Sequence, residues 1–189
     1  MSTSAETPAA GGQVRVRAVA YDDPVAQYLV ERVQQEYVVR YGGRDGAAVE
    51  PADFLPPRGT FLVAEVDGVP AACGAWRVHD GDGAVEIKRV YVEPGFRRRG
   101  LAQLVMGALE DSAARAGHRS VVLNTGLRQP EALELYARLG YRDVPGYGLY
   151  ARSPDARFLG KELVGSDFRG DDLLRPASAM TEEVRPWES

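Results

Sequence analysis

One segment constrains the fold of this chain more than any other. Residues 84–92 form an apolar-rich run, Ala84-Val85-Glu86-Ile87-Lys88-Arg89-Val90-Tyr91-Val92, and Pro94-Gly95 then breaks it. Past Arg97-Arg98-Arg99-Gly100 the apolar residues fall at Leu101, Leu104, Val105, Ala108 and Leu109, which is helical spacing. Gly117 stops that helix, and Ser120 to Leu123 is a second short apolar strand. A strand, a helix and a strand in this order should form a right-handed parallel crossover. The junction at 97–102 also has a chemical meaning. A helix start carries unpaired backbone N–H groups and the positive end of the dipole, so it suits an anion. Gly100 would let a ligand approach the backbone, small Ala102 would not block it, and three arginines add charge. The stretch lacks the Gly-Lys-Ser/Thr ending of a Walker loop and the glycines of a dinucleotide fingerprint.

The flanking segments fill in a mixed sheet. Val14 to Val19 alternates apolar and polar as a half-buried strand does. Asp22-Asp23-Pro24 reads as a capped helix start, and the helix should run to about Tyr41 and stop at Gly42-Gly43. Residues 44–59, rich in proline, read as a loop with one helical turn near Pro51 to Leu55. Thr60 to Val66 and Pro70 to Val78 flank Asp67-Gly68, a strong hairpin signal. A turn at 80–83 leads into the strand at 84–92, so three successive strands should pair antiparallel. Pro130 opens a last helix, closed by Gly140. Tyr141 to Val144, Gly148 to Arg152 and Phe158 to Leu163 read as final strands. The expected fold class is α/β: a mixed sheet of about seven strands with flanking helices.

A chain of 189 residues, 44% hydrophobic, supports one sizeable core. Residues 1–13 read as a disordered leader, 14–164 as the folded domain and 165–189 as an acidic tail that includes Trp187. The net charge of −4 lies in that tail and Glu6, which leaves 14–164 neutral and without the footprint of a nucleic-acid binder. No segment reads as a signal peptide or a membrane helix, and the single cysteine, Cys73, suits a reducing compartment; the expectation is a cytoplasmic protein. Cys73 lies in an apolar run and reads as a core thiol. His79 and His118 have no metal-ligand spacing and read as surface residues, so no metal is expected.

Two segments together resemble the GNAT N-acetyltransferase family. Arg97-x-x-Gly100-x-Ala102, preceded by Val90-Tyr91-Val92-x-Pro94, matches its pyrophosphate loop of the form Arg/Gln-x-x-Gly-x-Gly/Ala. Pro130-Glu131-Ala132-Leu133-Glu134-Leu135-Tyr136-Ala137-Arg138-Leu139-Gly140-Tyr141 is similar to its second segment. The resemblance covers about 14–164 and is diagnostic over 84–141. It implies the acyl-CoA N-acyltransferase fold, with two parallel strands splayed apart, and acetyl-CoA as cosubstrate. It implies pyrophosphate binding by Arg97, Arg98, Arg99, Gly100, Leu101 and Ala102, and backbone contacts to the pantetheine arm from Val90, Tyr91 and Val92. The Val90 N–H would also polarise the thioester oxygen. Gln129 stands seven residues before Tyr136, where the family often has asparagine on the cofactor arm. That contact is kept at Gln129, moved to Asn124, or lost.

The resemblance also implies catalytic roles, each beside a plainer one. Tyr136 would protonate the departing thiolate, or it is an aromatic packing residue. Glu86, eleven residues before Arg97, matches the catalytic glutamate of some members. It would take the amine's proton, or it is a strand-face glutamate paired with Lys88 or Arg77. Tyr147 and Tyr150 line the acceptor mouth or pack a hairpin. The expected function is N-acetyl transfer to a primary amine in a ternary complex, with a monomer or homodimer as the working unit. Glu50, Asp53 and Glu86 favour a small cationic amine over a protein lysine. The alternatives are an acyl-CoA sensor without turnover, a peptide acceptor, and nucleotide binding at the arginine turn.

Overall fold

The computed structural model describes residues 12–79 and 83–163. The expected tail at 165–189 and most of the expected leader lie outside them. Gln13 does not behave as leader: its amide donates to the Asp67 carboxylate at 2.9 Å, and its carbonyl accepts from the Asp67 amide at 2.9 Å.

Seven strands form one mixed sheet in the order β1-β2-β3-β4-β5-β7-β6. They are β1 (Val14–Val19), β2 (Gly59–Val66), β3 (Val69–Val78), β4 (Val85–Val92), β5 (Ser120–Gly126), β6 (Arg142–Asp143) and β7 (Ala156–Glu162). β1 to β4 are antiparallel neighbours, as the hairpin signals predict. Asp67 and Gly68, at φ 52° and 78°, make the β2–β3 turn in the conformation that matches strand twist. β4 and β5 run parallel across the crossover helix α2 (Leu101–Arg115).

Two departures from the expected strands share a cause. The segment 148–152 is not a strand: Gly148 sits at φ +61° and the chain folds back through Ala151 N–H to Gly148 O and Ser153 N–H to Tyr150 O, at 3.3 and 2.9 Å. These turns satisfy backbone groups locally, so no ladder is needed. β6 correspondingly shrinks to Arg142–Asp143, and β7 enters between it and β5.

Each sheet face has its own core. On one, α2 and α3 (Pro130–Arg138) cover Val85, Ile87, Val121 and Leu123, with Val105 and Leu109 fully buried. On the other, α1 (Pro24–Tyr41) and the short turn Pro51–Phe54 cover Phe61, Val63, Cys73 and Tyr91. Asp23 caps α1 by accepting from Val25 N–H at 2.8 Å, worth about 1 kcal/mol. Among the described residues, no helix is long and apolar enough to cross a membrane.

Candidate active site

The site begins where the parallel pair parts. β4 and β5 are in register only from Val85↔Val121 to Ile87↔Leu123. Beyond that, Asn124 to Gly126 pair with β7, and Lys88 to Val92 stay beside β3. A cleft of about 400 Å³ opens between the two strand ends, lined by Val90, Tyr91 and Val92 on one side and by Asn124 and Thr125 on the other.

A bulge in β4 shapes its wall. Cys73 pairs with Tyr91 and Ala75 with Lys88, so Gly74 alone faces both Arg89 and Val90, with Arg89 at φ +60°. Ile87 and Val90, three residues apart, therefore both pack toward α2. Gly74 must be glycine here, because a Cβ would stand 2.8 Å from Leu109 and 2.9 Å from Val105.

The closed end of the cleft is the start of α2. Arg98, Gly100, Leu101 and Ala102 line it. Arg98 and Gly100 both have positive φ, 61° and 76°, and α2 has no side-chain cap at this end. By contrast with α1, its first-turn N–H groups keep their capacity to bind an anion. Gly100 sits in the left-handed region, at a φ that favours glycine.

The arginines divide their work. Arg97 lines the cleft, but its guanidinium holds Val92 O at 3.0 Å and Glu36 at 2.7 Å, fastening the loop to α1. Arg99 lies over the Phe96 ring at 5.3 Å and does not line the cleft. Of these three, Arg98 lines the cleft with no ion pair among the described residues, as does Arg138 of α3.

Tyr136 and Gln129 complete the enclosure. Tyr136 lines the cleft, packs on Tyr141 at 5.6 Å, and has its phenol pushed up to about 12 by burial. It is thus protonated throughout the physiological range. Gln129 Oε1 accepts from Tyr41 and Thr125 hydroxyls, both at 3.4 Å, which places it between the strands' open ends. Asn124 lines the same space.

Glu86 is placed differently from the cleft residues. It is 5% exposed, pairs with Arg77 at 3.0 Å and Lys88 at 3.3 Å, and does not line the cleft. The pairing that its sequence context allowed is the one the fold adopts. Asp53 and Glu50 are also engaged: Asp53 by Arg58 and Arg77, Glu50 in a capping box. Tyr147 packs between His79 and Phe158, and burial first, then the neighbouring Glu86 charge, pushes its phenol up. Cys73 is fully buried, bonds Arg89 O at 3.2 Å, and burial pushes its thiol up, as befits a core residue.

Two charged residues that sequence reasoning passed over stand at the cleft. Arg89 is 4% exposed and pairs with Asp45, from the loop after α1. Burial alone would raise the Asp45 carboxyl, yet the Ala47 amide and the Arg89 guanidinium hold it below the usual carboxylate range. Asp45 also accepts from Tyr150 O–H at 3.0 Å. Forty-four residues separate Arg89 from Asp45, and no motif marks either.

Splayed parallel strands closed by an uncapped helix start make an elongated cleft with anion-binding capacity at one end. Comparison with known proteins gives the class. The profile of the Acetyltransferase (GNAT) family matches residues 26–141. An IAA acetyltransferase from Azospirillum brasilense is 29% identical over 141 residues, 75% of this chain and 92% of that protein. A human N-acetylaspartate synthetase is 31% identical over 62% of this chain, which spans 39% of that relative's length. Among solved structures, an acyl-CoA N-acyltransferase from Klebsiella pneumoniae superposes with TM-score 0.66 and 26% identity, covering 80% of this chain and 98% of that one. A GNAT acetyltransferase from Staphylococcus aureus Mu50 has the same fold at TM-score 0.63 and 16% identity, over 79% and 99% of the two chains. The chain belongs to the GNAT acetyltransferase family; it is an acetyl-CoA-dependent N-acetyltransferase.

Proposed function

We propose that this enzyme acetylates the primary amine of a small molecule by direct attack on acetyl-CoA in a ternary complex. The observation that carries the reading is the cleft itself: one continuous wall runs from the α2 start, past the freed edge of β4, to Tyr136. The family's cosubstrate fits these residues. Gly100 lines the cleft and carries no side chain to block a phosphate's approach, and Arg98 with the α2 N–H groups would hold it. Val90 and Val92 would hold the pantetheine arm by main-chain hydrogen bonds. Bound there, the cosubstrate supplies an activated acetyl group on a thioester.

The chain's own residues then have distinct tasks. The Val90 N–H, freed from β3 register by the bulge, stabilises the carbonyl oxygen as it gains charge. Tyr136 delivers its proton to the sulfur as the thioester bond breaks. The amine must lose a proton to attack. Because Glu86 stands off the cleft behind Lys88, any proton reaching it travels through water; its direct task is to hold Lys88 and Arg77. The relatives named above include an aspartate-acetylating enzyme, which supports a small acceptor. A cytoplasmic setting, where acetyl-CoA is made and used, is part of the same reading.

The test is thiol release from acetyl-CoA across an amine panel, with product mass as a second readout. Release that depends on amine and saturates in both substrates is expected. Release without amine, with a labelled acetyl-protein accumulating, would replace direct attack with a covalent route.

A further inference from the structure

A second cleft of about 370 Å³ adjoins the first and shares Tyr37, Asp45, Asn124, Thr125 and Gln129 with it. Its outer part is built by Tyr41, Arg44, Tyr150, Ser153 and Asp155, from the end of α1 and the two loops at 42–50 and 144–155. The volume lies in the range of small-molecule sites. Because it opens at the point where β4 and β5 part, an acceptor seated in it has its end at the reacting position.

The charges that line this space are not equivalent. Arg44 is bound by both oxygens of Glu31, at 2.9 and 2.7 Å. Asp45 is bound by Arg89, and Lys88 by Glu86. The Arg89 Nε has no hydrogen-bond partner, but it is sealed from the surface and so out of a ligand's reach. Asp155 is the exception: the residue is exposed, lines the cleft, and has no ion pair among the described residues. Three tyrosines line the same wall, and one of them, Tyr41, already attracts a guanidinium, with Arg128 at 5.9 Å from its ring. Electron-rich ring faces and a single unpaired carboxylate receive a cation. Among the residues that line this cleft, no unpaired cation would receive an acceptor's carboxylate.

We propose that the second cleft is the acceptor site and that it takes an amine bearing a second, distal cationic group, with the reacting nitrogen near Asp45 and the distal cation among Tyr41, Tyr150 and Asp155. This rests on the small-amine transfer proposed above and adds to it the acceptor's seat and chemical class. It also reverses the basis of the sequence expectation: Glu50, Asp53 and Glu86 are consumed by internal pairing, and Asp155 takes their place.

The test uses the full chain and three straight-chain probes of equal length: diaminopentane, pentylamine and aminopentanoate. Binding is measured by calorimetry with and without saturating coenzyme A, and turnover is measured separately. Diaminopentane should bind about tenfold more tightly than pentylamine, from one cation–π contact and one partly exposed ion pair, and aminopentanoate should bind least. Asp155→Asn should bring the diamine down to the affinity of the monoamine, and Tyr41→Leu should weaken it severalfold. Equal affinities, or aminopentanoate binding tightest, would overturn the proposal, the latter by placing recognition on Lys88 and Arg89. A protein that binds the diamine selectively but moves no acetyl group to any amine would refute the transfer scheme and leave the acceptor site standing.

Discussion

Replacing Gly100 with alanine separates two demands that meet at one residue. The folded chain needs φ +76° there, and a side chain in that conformation costs about 1–2 kcal/mol. Alanine recovers part of this by stiffening the unfolded chain, about 0.4–1 kcal/mol, so a net loss near 1 kcal/mol is expected. For a chain of this size that lowers Tm by about 2–4 °C. The effect on acetyl-CoA should be larger. The methyl is added on the cleft lining at the uncapped α2 start, where a phosphate must come within hydrogen-bond reach of backbone N–H groups. A loss of at least tenfold in affinity, about 1.4 kcal/mol, is expected. Thermal melts of the ligand-free protein and calorimetric titration with acetyl-CoA read the two effects separately. A Tm that falls as stated beside an affinity changed by less than about twofold would refute the assignment of this turn to the pyrophosphate. An unchanged Tm would refute the backbone argument.

Gly107→Ala is the matched control: Gly107 lies inside α2, where a Cβ would meet no atom within 4 Å and φ is not positive, so the variant should gain about 1 kcal/mol in a melt and leave acetyl-CoA affinity alone. Tyr136→Phe should lower kcat about 10²- to 10⁴-fold with little change in acetyl-CoA affinity. Since the phenol is pushed up to about 12, the wild-type pH–rate profile should show no falling limb from it below about pH 11; such a limb, abolished in the variant, would refute the shift. Glu86→Gln leaves Arg77 and Lys88 short of a buried charge and should cost about 3–5 kcal/mol in denaturant unfolding. If instead stability holds and only the acid limb of kcat/KM disappears, Glu86 is the proton acceptor itself. Cys73 should resist iodoacetamide in the native protein and react once it unfolds.

The crossover, the hairpin and the turn that opens α2 were legible in the sequence because each is written in consecutive residues. Apolar period changes at Gly100, and Asp67-Gly68 has one favoured turn geometry. Tyr136 was legible for a similar reason, through its place in an unbroken segment. The bulge was not legible: nothing in Lys88-Arg89-Val90 distinguishes a strand from a strand with one residue too many, and only the packing of Gly74 beneath Leu109 and Val105 settles it. Asp45 was missed because its partners, Arg89 and Tyr150, are 44 and 105 residues away. Glu86 has two readings in the sequence; the fold shows the pairing with Arg77 and Lys88 that one of them named. The segment 148–152 alternates well enough for a strand, but Gly148 at positive φ and the local turn bonds at Ala151 and Ser153 close it instead.

The Arg89–Asp45 pair has a practical consequence for redesign. It rivets the loop that walls the second cleft to the strand that lines the first, so the two cannot be exchanged as independent parts. A transplanted loop lacking a carboxylate at position 45 would leave a guanidinium stranded in the interior, whatever acceptor contacts it brought. Grafts that retain Asp45, Asp53 for Arg77, and the core residues Val49 and Phe54 keep the rivets and the packing beneath them.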